Sequence, residues 1–423
     1  MNNKPLAIVS PLCLCLVAAN AWADLEPFSF GASETVQHQT NLDHTDGSIA
    51  TPATPAWIST TEFNAAVAQA LGRDKLVANA AVDFNRYRHA KGPNATDLKG
   101  RNSTGYSAAA EFDWNTIGDL SGALGADSHR RQYVYGETAD LNGTGTVPVT
   151  GRNMQTDNHA FARIALGGEA RWTIFGGVDA NQRNFSNELF KSNEERQWST
   201  NAGTRYSTSP DLSFGLTGSY VRGDYPHGAV DRTQSNFNSK SLVATTKWQA
   251  SGNSTLDASL GVTSESSDAL SGARHFVNGS LNWNWRPESH FAFNLGLKRS
   301  SDADTSSTGA STGVINANNL NGTSINNVGH FEVTYALTAK ISLDASGDYT
   351  QRRYSNLESA EGVVSGSTDT SRLYLTLRYQ PTRTTELSCG GGRENRHADA
   401  SLKGAAKSYN DNYAQCAGSI HFD

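Results

Sequence analysis

From Phe28 onward, apolar side chains recur at every second position in segments of ten or more residues, with polar or charged residues between them. A period of two marks a β-strand with one face in an apolar medium and the other in a polar one. One segment shows the scheme plainly. Ile341, Leu343, Ala345, Gly347 and Tyr349 fall on one side, and Ser342, Asp344, Ser346, Asp348, Thr350 and Arg352 on the other. Leu120, Gly122, Leu124 and Ala126 repeat the pattern, as do Phe291, Phe293, Leu295 and Leu297, and Leu212, Phe214, Leu216, Gly218 and Tyr220. No helix-period stretch of useful length interrupts the series.

Tight-turn compositions separate these strands at Gly72-Arg73-Asp74, Ile117-Gly118-Asp119, Gly167-Gly168-Glu169, Ser209-Pro210-Asp211, Gly252-Asn253, Arg286-Pro287-Glu288, Ala339-Lys340 and Pro381-Thr382-Arg383. Longer Ser, Thr, Asn, Asp and Gly-rich loops lie between them, at residues 43–55, 91–102, 137–153 and 302–322. Eight hairpins, an opening strand near Phe28 and a closing strand near Tyr413 give 18 strands, and an even number puts both ends on one side. The predicted fold is all-β, a transmembrane antiparallel up-and-down barrel with short periplasmic turns and long extracellular loops, in the outer membrane of a Gram-negative bacterium. A barrel of this size is wide enough for an aqueous channel unless a segment folds inward, for which residues 137–153 and 302–322 are the candidates. A soluble sandwich or propeller also alternates, but its strands are usually shorter. The closing segment puts Cys416, Gly418, Ile420 and Phe422 on one face, similar to the terminal aromatic signature of outer-membrane barrels.

Composition supports this reading: hydrophobic residues reach only 37% in a chain long enough to bury a large core, with 39 Gly, 14 Tyr and 2 Met. In a barrel, only every second strand residue must be apolar. At the start, Lys4 precedes an apolar run from Leu6 to Ala19, and Ala21-Trp22-Ala23 presents small residues where a signal peptidase reads them. Residues 1–23 are therefore expected to be a signal peptide and 24–423 the barrel. Removing Lys4 takes the net charge from −6 to −7, and nothing in the sequence points to nucleic acid. Cys13 and Cys15 leave with the signal peptide. A hairpin centred near Lys403 and Gly404 sets Cys389 opposite Cys416 on the last two strands, and the oxidising periplasm permits a disulfide there.

Polar and charged residues four apart recur on the face read as luminal: Asp83 and Tyr87, Asp127 and Arg131, Asp179 and Arg183, Asp348 and Arg352. On a return strand, Arg372, Tyr374 and Arg378 point the same way. Further basic and aromatic residues extend the strand ends in the outer half of the barrel, including Arg86, Arg88, Arg130, Tyr133, Arg222, Tyr225, Lys298, Arg299, Arg353, Tyr354, Arg393 and Arg396. A corridor of this kind offers exchangeable hydrogen bonds and stacking faces to a passing sugar chain, and guanidinium groups attract acidic sugars. The competing reading is that these residues only hydrate and stiffen the wall through weak ion pairs. His129, His159, His275, His290, His330, His397 and His421 belong to no motif that demands catalysis, and no clustered ligands point to a metal or cofactor.

The opening Phe28-Ser29-Phe30-Gly31-Ala32 strand is followed by Gln39-Thr40-Asn41-Leu42, and strand ends read Asp83-Phe84-Asn85-Arg86-Tyr87 and Tyr220-Val221-Arg222-Gly223-Asp224-Tyr225-Pro226. With the hairpin rhythm, these residues make nearly all of the mature chain resemble the outer-membrane β-barrel proteins encoded with exosortase-linked exopolysaccharide biosynthesis systems. The resemblance implies export of exopolysaccharide without covalent chemistry, with outer-membrane lipid around the barrel. It also implies a periplasmic export protein and an inner-membrane polymerisation system as partners. The alternatives are a general or sugar-selective diffusion porin and, third, a barrel hydrolase or lipid-modifying enzyme.

Overall fold

The computed structural model describes residues 27–47, 53–89, 98–133, 152–167, 171–227, 236–267, 273–301, 323–359, 362–402 and 407–422. The expected signal peptide and residues 137–151 and 302–322 of the two candidate inward loops lie outside them. Eighteen strands follow one another: β1 (Phe28–Gln39), β2 (Ala56–Leu71), β3 (Asp74–His89), β4 (Ser103–Asn115), β5 (Leu120–Gln132), β6 (Met154–Leu166), β7 (Trp172–Phe185), β8 (Glu195–Ser209) and β9 (Leu212–Asp224) form the first half. The second half is β10 (Asn236–Ser251), β11 (Ser254–Ser267), β12 (Arg274–Glu288), β13 (Phe291–Ser301), β14 (Thr323–Ala336), β15 (Ile341–Ser359), β16 (Gly362–Tyr379), β17 (Thr385–Ala398) and β18 (Tyr409–Phe422).

Each strand pairs antiparallel with its neighbour in sequence, and β1 pairs with β18, so that Phe30 stands opposite Phe422 and the sheet closes without an edge. Closure is what a membrane demands, because an open edge would leave backbone groups unpaired in hydrocarbon. Among the described residues no helix is long and apolar enough to cross a membrane.

The apolar alternation sets which face of this wall looks outward. Leu242, Val262 and Val277 stand opposite one another across β10, β11 and β12, and Leu373, Leu375 and Leu377 line the same face of β16. All are exposed, and Leu260 reaches 66%. Conversely, many of the deeply buried side chains are polar, among them Asp411, Glu394, Thr263 and Ser324. This inversion of the water-soluble rule identifies lipid as the solvent of the outer face.

Eight short connections fall at the places the turn compositions predict and alternate with longer ones, except that β15 and β16 run on to Ser359 and Gly362 with two residues between them. Gly72, at φ +71°, closes the β2–β3 turn in a conformation that favours glycine. One turn is displaced. Arg286-Pro287-Glu288 belongs to β12, and the chain reverses at Ser289 and His290. Pro287 has no N–H to donate, and the register slips between Trp285 and Glu288.

Cys389 and Cys416 stand directly opposite on β17 and β18 with Cα atoms 4.1 Å apart, and they are joined as a disulfide on the outward face. The expected hairpin tip at Lys403 and Gly404 lies outside the described residues. Alkylation of denatured residues 24–423, which hold only these two cysteines, is expected to add no label without reductant and two labels with it; two labels in both conditions would contradict the bridge.

Candidate functional site in the barrel lumen

Strand parity and register place Asp83, Tyr87, Asp127, Arg131, Asp179, Arg183, Asp348, Arg352, Arg372, Tyr374 and Arg378 on the inward face, opposite in parity to the exposed apolar side chains. They do not form one site. Register gathers most of them into two charged sectors with partners that the sequence did not single out.

The first sector spans β5 to β8. His159 lies between two carboxylates, with Nδ1 2.8 Å from Asp127 Oδ1 and Nε2 3.4 Å from Asp179 Oδ1. Ser199 donates to the other oxygen of Asp179 at 3.4 Å. Next to this row, Arg183 Nε donates to Asp157 at 2.9 Å and its Nη1 lies 3.7 Å from Glu195. Gln155 donates to Asp157 at 2.6 Å. Around His159 and Arg183 four carboxylates converge, while Arg131, Arg163 and Arg205 share the inward parity of the same strands, so the sector presents both signs of charge together with hydroxyl and amide groups. It lacks the geometry of a hydrolase, since Ser199 donates to a carboxylate that also meets the imidazole.

The second sector spans β14 to β18. His330 meets Asp348 at 2.8 Å, and Asp348 stands opposite Arg372. Arg372 reaches Glu394 through Nε at 2.7 Å and Nη2 at 2.5 Å, and the Tyr409 hydroxyl donates to the other Glu394 oxygen at 2.6 Å. Both Glu394 oxygens are thereby occupied, which offsets the cost of its burial. The rings of Tyr374 and Tyr413 stack at 5.5 Å beside this pair. Arg378 lies 3.5 Å from Asp344 and 3.3 Å from Glu386, toward the turn end of the strands.

Asp83 accepts a hydrogen bond from the Asn85 amide and stands opposite Gly105, where a Cβ would meet the carboxylate. Tyr87 is tied by its backbone N–H to Asn102 at 2.8 Å, and Arg352 donates to Ser324 at 3.0 Å. Arg131 is exposed at the outer end of β5.

Two outer loops fold against luminal-parity residues. Phe190, in the β7–β8 connection, is 1% exposed and packs on Tyr133 and Phe185 with centroid distances of 5.3 and 6.0 Å. Glu194 fixes the return by accepting the Phe185 N–H at 3.0 Å. At the seam, Asp411 accepts from Gln39 at 2.7 Å, from the Thr40 hydroxyl at 3.0 Å and from the Asn41 N–H at 2.9 Å, so the loop after β1 is clamped to β18.

The basic strand ends divide between the faces. Tyr133, Lys298, Tyr354 and Arg396 have inward parity, whereas Arg86, Arg88, Arg130, Arg222, Arg299, Arg353 and Arg393 share the outward parity of the apolar band. Among the described residues, no group of three or more His, Cys, Asp or Glu could hold a metal ion.

No protein-family model matches the sequence, and no curated protein matches it. Solved structures do. The chain is similar to OccAB4 of Acinetobacter baumannii, with 11% identity and a TM-score of 0.50 over 95% of this chain and 100% of that one. It is also similar to a BenF-like porin from Pseudomonas fluorescens Pf-5, with 12% identity and a TM-score of 0.49 over 94% and 100% of the two chains. For OpdK of Pseudomonas aeruginosa, solved with vanillate, the identity is 13% and the TM-score 0.49 over 94% and 99%. At such identities the likeness to OccAB4 speaks for the fold alone. The protein is a porin-like β-barrel of the Gram-negative outer membrane.

Proposed function

We propose that the protein is a passive, water-filled channel for hydrophilic solutes, with saccharides as the solute class, and that it performs no covalent chemistry. The observation that carries this reading is the segregation of the wall: a closed ring of eighteen strands with an apolar band outside, its arginines confined to the outer strand ends, and the paired acids and arginines of two charged sectors inside. The paired sectors hold their charges in fixed positions while leaving hydroxyls and amides to exchange hydrogen bonds with a solute. Liposome swelling tests it. Vesicles containing the refolded mature chain should swell in monosaccharides and disaccharides, with rates falling as the sugar lengthens; no swelling with any sugar would contradict a passive channel.

Export of exopolysaccharide is the second reading, with a periplasmic export protein and an inner-membrane polymerisation system as partners. The resemblance of the opening strand and strand ends motivates it, and the stacked Tyr374 and Tyr413 beside Arg372 offer a sugar ring a flat face next to a cation. An exporter should bind long acidic chains from the periplasmic side and pass small sugars slowly.

Selectivity gives a sharper check. Replacing Arg183 by Gln leaves Asp157 and Glu195, on the strands either side of β7, without their shared counter-charge. The cation preference of the channel is expected to rise, read as a shift of several millivolts in reversal potential under a KCl gradient. An unchanged potential would place the Arg183 sector outside the ion path.

A further inference from the structure

The outward face carries a feature that solute passage does not use. Across β9 to β12, Tyr220, Lys240, Ser264 and His275 form one outward row, and Gly218, Leu242, Val262 and Val277 form the next row toward the membrane centre. Between the Lys240 and Leu242 rows lies a groove of about 400 Å³, with Leu242, Val262 and Val277 on one side and Lys240, Ser264 and His275 on the other. One more base flanks it: Arg222 stands one row above Tyr220, opposite Asn238 and diagonal to Lys240. Arg299 on β13 stands opposite Gly279, two rows from Lys240, and is held by the Val277 carbonyl at 3.1 Å and Asn327 at 3.0 Å.

Pairing separates this patch from the two charged sectors of the lumen. Arg183, Arg372 and Arg378 inside the barrel each meet carboxylates. Among the described residues, no carboxylate lies within ion-pairing distance of Arg222, Lys240, His275 or Arg299, and all four are exposed. Trp198 and Tyr220, with centroids 5.5 Å apart, mark the interfacial level beside them. The groove thus has an apolar side where acyl chains begin and a cationic rim where headgroups begin.

We infer that this groove holds a phosphorylated glycolipid of the outer leaflet, with acyl chains against Leu242, Val262 and Val277 and headgroup phosphate between Lys240 and Arg222, which are diagonal neighbours on adjacent strands. Basic residues at a membrane surface attract anionic headgroups, and guanidinium and ammonium donors suit phosphate oxygens. The inference depends on the barrel's place in the outer membrane and not on what passes through it.

The test is titration of the detergent-solubilised, refolded mature chain with bisphosphorylated lipid A, read as the bound fraction by native mass spectrometry. Lys240→Gln with Arg222→Gln should weaken binding by roughly tenfold or more. Lys298→Gln, which removes an inward charge beside Arg299, should leave it unchanged. Dephosphorylated lipid A should bind as weakly as the double variant shows, and millimolar inorganic phosphate should not displace the lipid. Heat-dependent gel mobility confirms that each variant is folded before it is scored. Equal binding of phosphorylated and dephosphorylated lipid, an equal loss in Lys298→Gln, or displacement by inorganic phosphate would each overturn the inference.

Discussion

Replacing Leu260 by Arg is expected to destabilise the folded barrel by about 2–4 kcal/mol, whereas Arg at the adjacent Ser259 should change stability by less than about 1 kcal/mol. The contrast follows from strand parity. Leu260 sits in the middle of β11 with its side chain 66% exposed on the face that meets lipid, so a guanidinium there enters hydrocarbon near the bilayer midplane. Ser259 points the other way, and its hydroxyl lies 2.7 Å from that of Ser280 on the luminal face of β12. A charge at that position stays hydrated. Urea titrations of folding into vesicles measure both. Equal losses at the two positions would contradict the assignment of faces, and with it the reading of the lumen.

The second large effect is expected at the outer mouth. Phe190 is the most buried large side chain of the β7–β8 connection, held by Tyr133 and Phe185. Phe190→Ala removes this anchor, and truncating a buried aromatic typically costs about 3–5 kcal/mol. Here the loss should be local, because the strands pair with one another without help from the loop. The connection should become susceptible to trypsin after Lys191 while the barrel keeps its heat-dependent gel mobility. Single-channel conductance should rise or become noisier as the loop leaves the mouth. A variant as resistant at Lys191 as the parent would show that the aromatic cluster does not secure the loop.

The architecture is readable in the sequence because a membrane barrel repeats one simple rule. Ile341 to Arg352 alternates strictly, lipid imposes the alternation on every strand, and a turn or loop must follow each one. That is why strand number, turn positions and the inward parity of Asp83, Asp127, Asp348 and Arg372 are legible. What alternation cannot supply is register. His159 becomes the bridge between Asp127 and Asp179 only because β6 pairs with both β5 and β7 at the right offset, and 20 to 32 residues separate the partners in sequence. Glu394 and Asp411 likewise acquire their partners through pairing near the seam, where β18 closes on β1. Parity alone would have separated Arg222 and Arg299 from the luminal arginines, because Arg222 continues the Leu212 to Tyr220 face and Arg299 the Phe291 to Leu297 face. Pro287 misled for a physical reason: it is a common turn residue, but a register slip accommodates it inside β12.

The most direct measurement is ionic current through the refolded mature chain in planar bilayers, with neutral and acidic oligosaccharides added from either side. Stepwise insertion events are expected, with a stable open current that sugars reduce in a concentration-dependent way. Barrels that are folded by gel mobility yet carry no current, and whose vesicles do not swell in any sugar, would contradict a passive polar channel.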